Sequence, residues 1–239
     1  MDRPSIPMPR EQLERVVRQI VREQLADKLM AGEPVGPPPR SGAYTPNLVV
    51  NISARHLHVC QGDLDKLFGG GSPGSQLTVY RWLYQPGEFA AEQTVTIIGL
   101  GGKQRAIQDV RILGPVRPAT QVELSLTDAY ALGVEAPVCP SGKIDGTPGC
   151  LIVGPKGVVE LARGVIRAQR HVHMSPADAE AYGFADGQAV RLTVHGDCPA
   201  TFDGVVCRVD PKFLLEVHLD TDEGNACNLV NAVGVELSG

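Results

Sequence analysis

A four-residue pattern occurs twice in this chain, as Arg55-His56-Leu57-His58 and as Arg170-His171-Val172-His173, 115 positions apart. At the same offset Asp63 falls on Asp178 and Leu77-Thr78-Val79 on Leu192-Thr193-Val194, giving seven identities in a 25-residue window. Self-similarity of this kind restricts a fold more than any average property, because it calls for two units of one design. The 239 residues would otherwise allow one large domain or two of roughly 100 residues. The repeat decides for two homologous units.

The texture around the repeats is that of β-structure. From residue 44 onward, short runs rich in β-branched residues are separated by Gly and Pro. They are LVVNI (48–52), SQLTVY (75–80), TVTIIG (94–99), DVRILG (109–114), CLIVG (150–154) and GVVEL (157–161). AVRLTV (189–194), FDGVVCRV (202–209), FLLEVHL (213–219) and AVGVEL (232–237) continue the series. Only GDLDKLF (62–68) and SPADAEAYG (175–183), with its Ser-x-x-Asp start, read as short helices. A mainly β chain of small barrels or sandwiches is expected, and a Rossmann sheet is excluded for want of alternating long helices.

In a strand, side chains alternate between faces, so both imidazoles of a His-x-His segment point the same way and can converge on one cation. The two pairs hold four of the chain's six histidines. That concentration makes metal binding the better explanation. Two nitrogens leave a site incomplete, and His218 and Glu123, both within β-type runs, are candidate third ligands. Three protein ligands with an open position is the pattern of catalytic zinc. Cys60 is a minor candidate ligand, and His195 in His-Gly-Asp reads as an exposed turn residue.

Other functions are excluded by composition. A net charge of −5 and 5% aromatic residues argue against a nucleic-acid binder, although 16 of the 22 cations are Arg and a local phosphate-binding patch remains open. No apolar run approaches a membrane span, and charges interrupt the N-terminus where a signal peptide would be apolar. Six scattered cysteines without a CxxC pair fit reduced thiols in the cytoplasm. GLGGK (99–103) lacks the spacing of a P-loop, and the segment opening on Asp220 carries Asn231 where an EF-hand needs Glu.

Residues 9–30 carry a helical stripe of Leu13, Val16, Val17, Ile20, Val21 and Leu25, followed by the Pro-rich AGEPVGPPPRSG. A helix over 1–30 on a linker over 31–43 cannot bury that stripe within itself. It needs a partner protein, its own domain or a second copy; the mixed charges of its polar face disfavour a membrane surface.

The segments ARHLHV, GPVRPATQVELS, PSGKIDGTPG, QRHVHMSPADAEAYGFADGQAV and VHLDTDEGNA resemble the PduL-type phosphotransacylases, or phosphate propanoyltransferases, of bacterial microcompartments. The resemblance covers essentially the whole chain. It implies two homologous β-barrels with short capping helices, over residues 55–167 and 168–239, the second completed by a strand at 44–54. It implies two Zn²⁺ per chain, one held by His56, His58 and Glu123 and the other by His171, His173 and His218. Arg117 corresponds to a phosphate-binding arginine, and Ser141 to a serine lining the same site. The implied reaction interconverts acyl-CoA plus phosphate with acyl phosphate plus CoA, by attack of the CoA thiolate without a covalent acyl-enzyme. The resemblance further implies a homodimer or higher oligomer, and an encapsulation role for the N-terminal helix toward shell or core proteins. Two other classes share the ligand pattern: a dinuclear zinc hydrolase, and a non-catalytic metal-stapled binding module.

Overall fold

The computed structural model describes residues 44, 46–71, 76–101 and 105–239; the helix and linker expected over residues 1–43 lie outside them. Residues 44–239 form one compact unit built from two sheets. The first contains β2 (His56–His58), β3 (Val79–Trp82), β4 (Phe89–Gly99), β5 (Ala106–Gly114), β6 (Gln121–Glu123), β7 (Val138–Cys139), β8 (Cys150–Val153), β9 (Val158–Leu161) and β10 (Val165–Ala168). The second contains β1 (Val49–Ser53), β11 (His171–Met174), β12 (Ala189–His195), β13 (Ala200–Val209), β14 (Glu216–Asp220) and β15 (Gly234–Ser238). Each sheet curls into half a barrel.

The duplication is visible strand by strand. The order β6-β2-β5-β4-β8 in one sheet matches β14-β11-β13-β12-β15 in the other. In both, the His-x-His strand runs parallel to one neighbour (β5 or β13) and antiparallel to the other (β6 or β14). The strand just before each His-x-His strand crosses over: β1 pairs with β14 of the second sheet, and β10 pairs with β6 of the first. Each half therefore lends its leading strand to its sister. Two hydrophobic cores result, with Leu48 and Val50 packed on the second and Val165 buried in the first.

Four short helices cap the sheets: α1 (Gln61–Phe68), α2 (Leu126–Leu132), α3 (Pro176–Tyr182) and α4 (Thr221–Ala226). Sequence reading anticipates α1 and α3 but not α2 and α4. Side-chain caps define the starts of the missed pair, as one does for α3. Ser125 Oγ accepts from the Asp128 amide, and Asp220 and Glu223 form a reciprocal capping box. Arg55 reaches Asp128 of α2 at 3.0 Å, and its repeat mate Arg170 reaches Glu223 of α4 at 2.8 Å. The arginine of each repeat thus ties its His-x-His strand to the helix that follows the neighbouring strand.

Part of the sequence alignment fails in space. Leu192 and Val194 are buried in β12, whereas Val79 opens β3, whose four residues are all exposed. The strand equivalent to β12 is β4, and β3 is an addition with no counterpart in the second half. After this insertion, corresponding residues lie 95 positions apart rather than 115, which brings Glu123 onto His218.

Helix α4 lies close on β1, because a Cβ at Gly224 would come within 2.4 Å of Ile52 Cγ1. Gly224→Ala should therefore lower stability by about 1–3 kcal/mol in urea denaturation. Gly62→Ala, in α1 with open space around it, should be neutral or stabilising by up to about 1 kcal/mol. Equal effects at the two positions would contradict the packing described for α4.

Candidate metal centre and anion site

Strand alternation sets each site. Leu57 and Val172 point into the two cores with no exposed surface, which turns His56, His58, His171 and His173 to the opposite faces. Antiparallel pairing then supplies a third group: β6 places Glu123 opposite His56, and β14 places His218 opposite His171. Glu123 carboxylate oxygens lie 3.6 Å from His56 Nε2 and 3.7 Å from His58 Nε2. The rings of His171, His173 and His218 lie with centroids 4.8 Å apart in each pairing. Within each triad the ligand-type atoms fall within 4.8 Å of one another, close enough to hold a metal ion. The structure brings together all six residues singled out from the sequence. Cys60 joins neither triad, its thiol meeting Thr120 Oγ1 at 3.6 Å. His195 is exposed at the end of β12 and lies 3.8 Å from Glu236.

The donor chemistry fits a cation. His56 Nδ1 and His171 Nδ1 lie 2.8 Å from the carbonyls of Ala54 and Gln169, and His58 Nδ1 lies 3.2 Å from that of Leu113. A carbonyl only accepts, so each Nδ1 carries the proton and each Nε2 keeps its lone pair. Burial, reinforced by His56 and Arg117, pushes His58 down to about 3. Burial together with His218 takes His171 to about 4, and with His218 and His171 takes His173 to about 2. Burial alone would raise the Glu123 carboxyl, but His56, His58, the Ser141 hydroxyl and Arg117 hold it at about 2. Near neutral pH these three imidazoles are neutral and the carboxylate is ionised, as metal ligation requires.

Beside the triads, Arg117 and Ser141 meet: Arg117 Nη1 donates to Ser141 Oγ at 3.2 Å, and Ser141 Oγ donates to Glu123 Oε1 at 2.9 Å. The Arg117 charge acts on His58 and Glu123 of one triad and on His173 of the other, so it faces both. Arg117, Ser141 and both triads line one open cavity of about 730 Å³, with Arg81, Arg208, Trp82 and Phe213 also on its walls.

Residues that no sequence pattern singles out brace the triads. Buried Gln121 donates to Glu123 Oε1 at 2.5 Å and to Ser141 Oγ at 2.9 Å, while its own oxygen accepts from the Gly142 amide at 2.7 Å. Its counterpart Glu216 accepts from Asn51 and Gln85. The available signal was the pair Gln121-Val122-Glu123-Leu124 and Glu216-Val217-His218-Leu219, hidden because its spacing is 95 and not 115.

A family model described as phosphate propanoyltransferase matches residues 49–230. The chain is 50% identical over 230 residues to a phosphate propanoyltransferase of Planctopirus limnophila, covering 95% of this chain and 91% of that protein. It is also 50% identical over 185 residues to one of Thermotoga maritima, covering 77% and 85% of the two chains. A phosphate propanoyltransferase of Lachnoclostridium phytofermentans is 44% identical over 219 residues, covering 92% and 93%.

The charge states carry a pH dependence. Folded His58, His171 and His173 refuse protons that the unfolded chain accepts near 6.5, so their contribution is complete above 6.5 and lost as pH falls below it. Glu123 acts in the same direction at lower pH, its contribution being lost between 4.5 and about 2. Chelator-treated protein should therefore lose on the order of 3 kcal/mol of unfolding free energy between pH 7.5 and 5.5 in urea titrations. A flat profile over that range would contradict the burial assigned to these rings.

Proposed function

The chain belongs to the phosphate propanoyltransferase family and is an acyltransferase; from that premise we propose that it interconverts acyl-CoA plus phosphate with acyl phosphate plus CoA at the cavity between its two triads. The observation that carries the proposal is the convergence of both triads with Arg117 and Ser141 on one cavity. His56, His58 and Glu123 would hold one Zn²⁺, and His171, His173 and His218 the other. Zn²⁺ bound there supplies Lewis acidity, which stabilises a CoA thiolate and negative charge developing on the acyl oxygen.

The chain's own groups bind and orient. The Arg117 guanidinium, half-buried and open to the cavity, presents its planar fork to phosphoryl oxygens. Ser141, fixed by Arg117 and Gln121, keeps Glu123 turned toward His56 and His58 and offers its oxygen at the same edge. In the direction of acyl phosphate formation, a phosphate oxygen bonds to the acyl carbon, the carbon–sulfur bond breaks, and CoA leaves with the electron pair. Holding both substrates in one cavity accounts for a large share of the rate. Water is the competing nucleophile, so phosphate dependence separates this reading from a zinc hydrolase.

The surroundings extend the proposal. The described residues contain no helix long and apolar enough to cross a membrane, which is compatible with a place in the cytoplasm inside a bacterial microcompartment. The amphipathic stripe of residues 9–30 supports a docking role toward shell or core proteins, with CoA recycled inside the compartment. The similarity to the Planctopirus protein extends into this N-terminal segment. A homodimer, which the resemblance implies, belongs to the same reading.

Three variants test the reading. His171→Ala should remove one metal equivalent and most activity; full turnover with intact metal content would overturn the ligand assignment. Arg117→Ala should raise the KM for phosphate at least tenfold, and an unchanged KM would remove Arg117 from the anion site. Deleting residues 1–33 should leave turnover intact and abolish packaging, whereas loss of turnover would put the helix in the catalytic fold.

A further inference from the structure

The two triads differ in charge. His56, His58 and Glu123 include an anion, while His171, His173 and His218 are all imidazoles. A dication held by neutral ligands in a buried setting lacks a compensating charge. Strand β14 carries two carboxylates on the face of His218, each two residues from it; Asp220 caps α4, and Glu216 lies against the imidazole. Glu216 occupies the position that Gln121 occupies beside Glu123. Between Gln-Val-Glu-Leu and Glu-Val-His-Leu, the carboxylate has moved by two residues and stays on one face.

Glu216 is 3% exposed, and its carboxylate is fixed from two directions. Asn51 Nδ2, from β1, donates to Oε1 at 2.6 Å, and Gln85 Nε2 donates to Oε2 at 2.7 Å. Oε2 also lies 3.2 Å from His218 Nε2, which faces His173 Nδ1 at 3.2 Å as well; a proton on Nε2 serves both acceptors and leaves the His218 Nδ1 lone pair for a cation. Gln85 is itself clamped, because its side chain both donates to the Leu214 carbonyl and accepts from the Leu214 amide. It comes from the turn between β3 and β4, the segment that the second half lacks. The insertion in one half thus reaches across to brace a residue beside the other half's triad.

We propose that Glu216 is a positioning residue for the second metal site: held by Asn51 and Gln85, it fixes the His218 imidazole and supplies the anion missing from the all-histidine triad. A carboxylate hydrogen-bonded to a ligating imidazole sets its orientation and raises its basicity, and losing such a partner typically costs 10–100-fold in metal affinity. This inference rests on the metal-binding reading of the triads and goes beyond it by assigning a residue outside them. It also gives β1 and the β3–β4 turn a role in a site to which neither contributes a ligand.

The test uses full-length protein, stripped with a chelator and titrated with Zn²⁺ against a chromophoric competitor. Co²⁺ spectra of the His171→Ala variant identify the signal of the first site alone. Glu216→Gln should bind its first equivalent like the wild type and its second about 10–100-fold more weakly, the weakened signal being the one absent from His171→Ala. Gln85→Leu should weaken the same equivalent by a smaller factor. Wild-type affinity at both sites in a folded Glu216→Gln protein would overturn the inference, as would equal weakening of both. Should Glu216→Gln fail to fold, Gln85→Leu decides, and unchanged affinity there overturns the inference. A wild type that binds no metal would instead bring down the metal-centre reading, and this inference with it.

Discussion

The whole site depends on one pairing register, made twice. His56 sits opposite Glu123 and His171 opposite His218 because each His-x-His strand runs antiparallel to the strand that follows it in the site. A slip of one residue would turn every triad side chain toward a core and every core residue toward the cavity. The register is held against that slip by Leu57, Val122, Val172 and Val217, all fully buried on the far faces. Hydrophobic packing in two separate cores therefore aims the polar groups of both triads.

Exchange of leading strands binds the two halves into one body. β1 completes the sheet of the second half and β10 that of the first, so neither half keeps all of its strands to itself. That arrangement draws the two triads to a common cavity, where Arg117 acts on both. The halves have since diverged around this shared frame. One carries the additional strand β3 and the turn after it, with Gln85 reaching the other sheet, and the two differ in where the carboxylate sits beside the histidines.

Much of this was legible in the sequence because strand alternation is a strict rule. The spacing of His56 and His58, and of His171 and His173, shows a shared face directly, and Glu123 and His218 stand out as polar residues inside apolar runs. What was hidden had physical causes. The β3 insertion changed the repeat offset, so Gln121 and Glu216 do not align at 115, and SQLTVY carries a β pattern although only its Leu77 packs on a core and the strand it leads into is exposed throughout. Helix α2 has seven residues and the same Ser-x-x-Asp start as α3, at Ser125 and Asp128, so its signal stands in the sequence, whereas α4 has six residues with Gly224 inside. Arg117 and Ser141 follow from resemblance alone, since nothing in their local sequence shows that two distant loops meet.

Turnover on the proposed reading needs both triads loaded with metal and Arg117 beside them in the shared cavity. Stripped protein titrated with Zn²⁺, with CoA release from propanoyl-CoA followed at each addition, tests it most directly. Phosphate-dependent release should appear only as the second equivalent binds. Full turnover after one equivalent, or release that proceeds equally without phosphate, would contradict it.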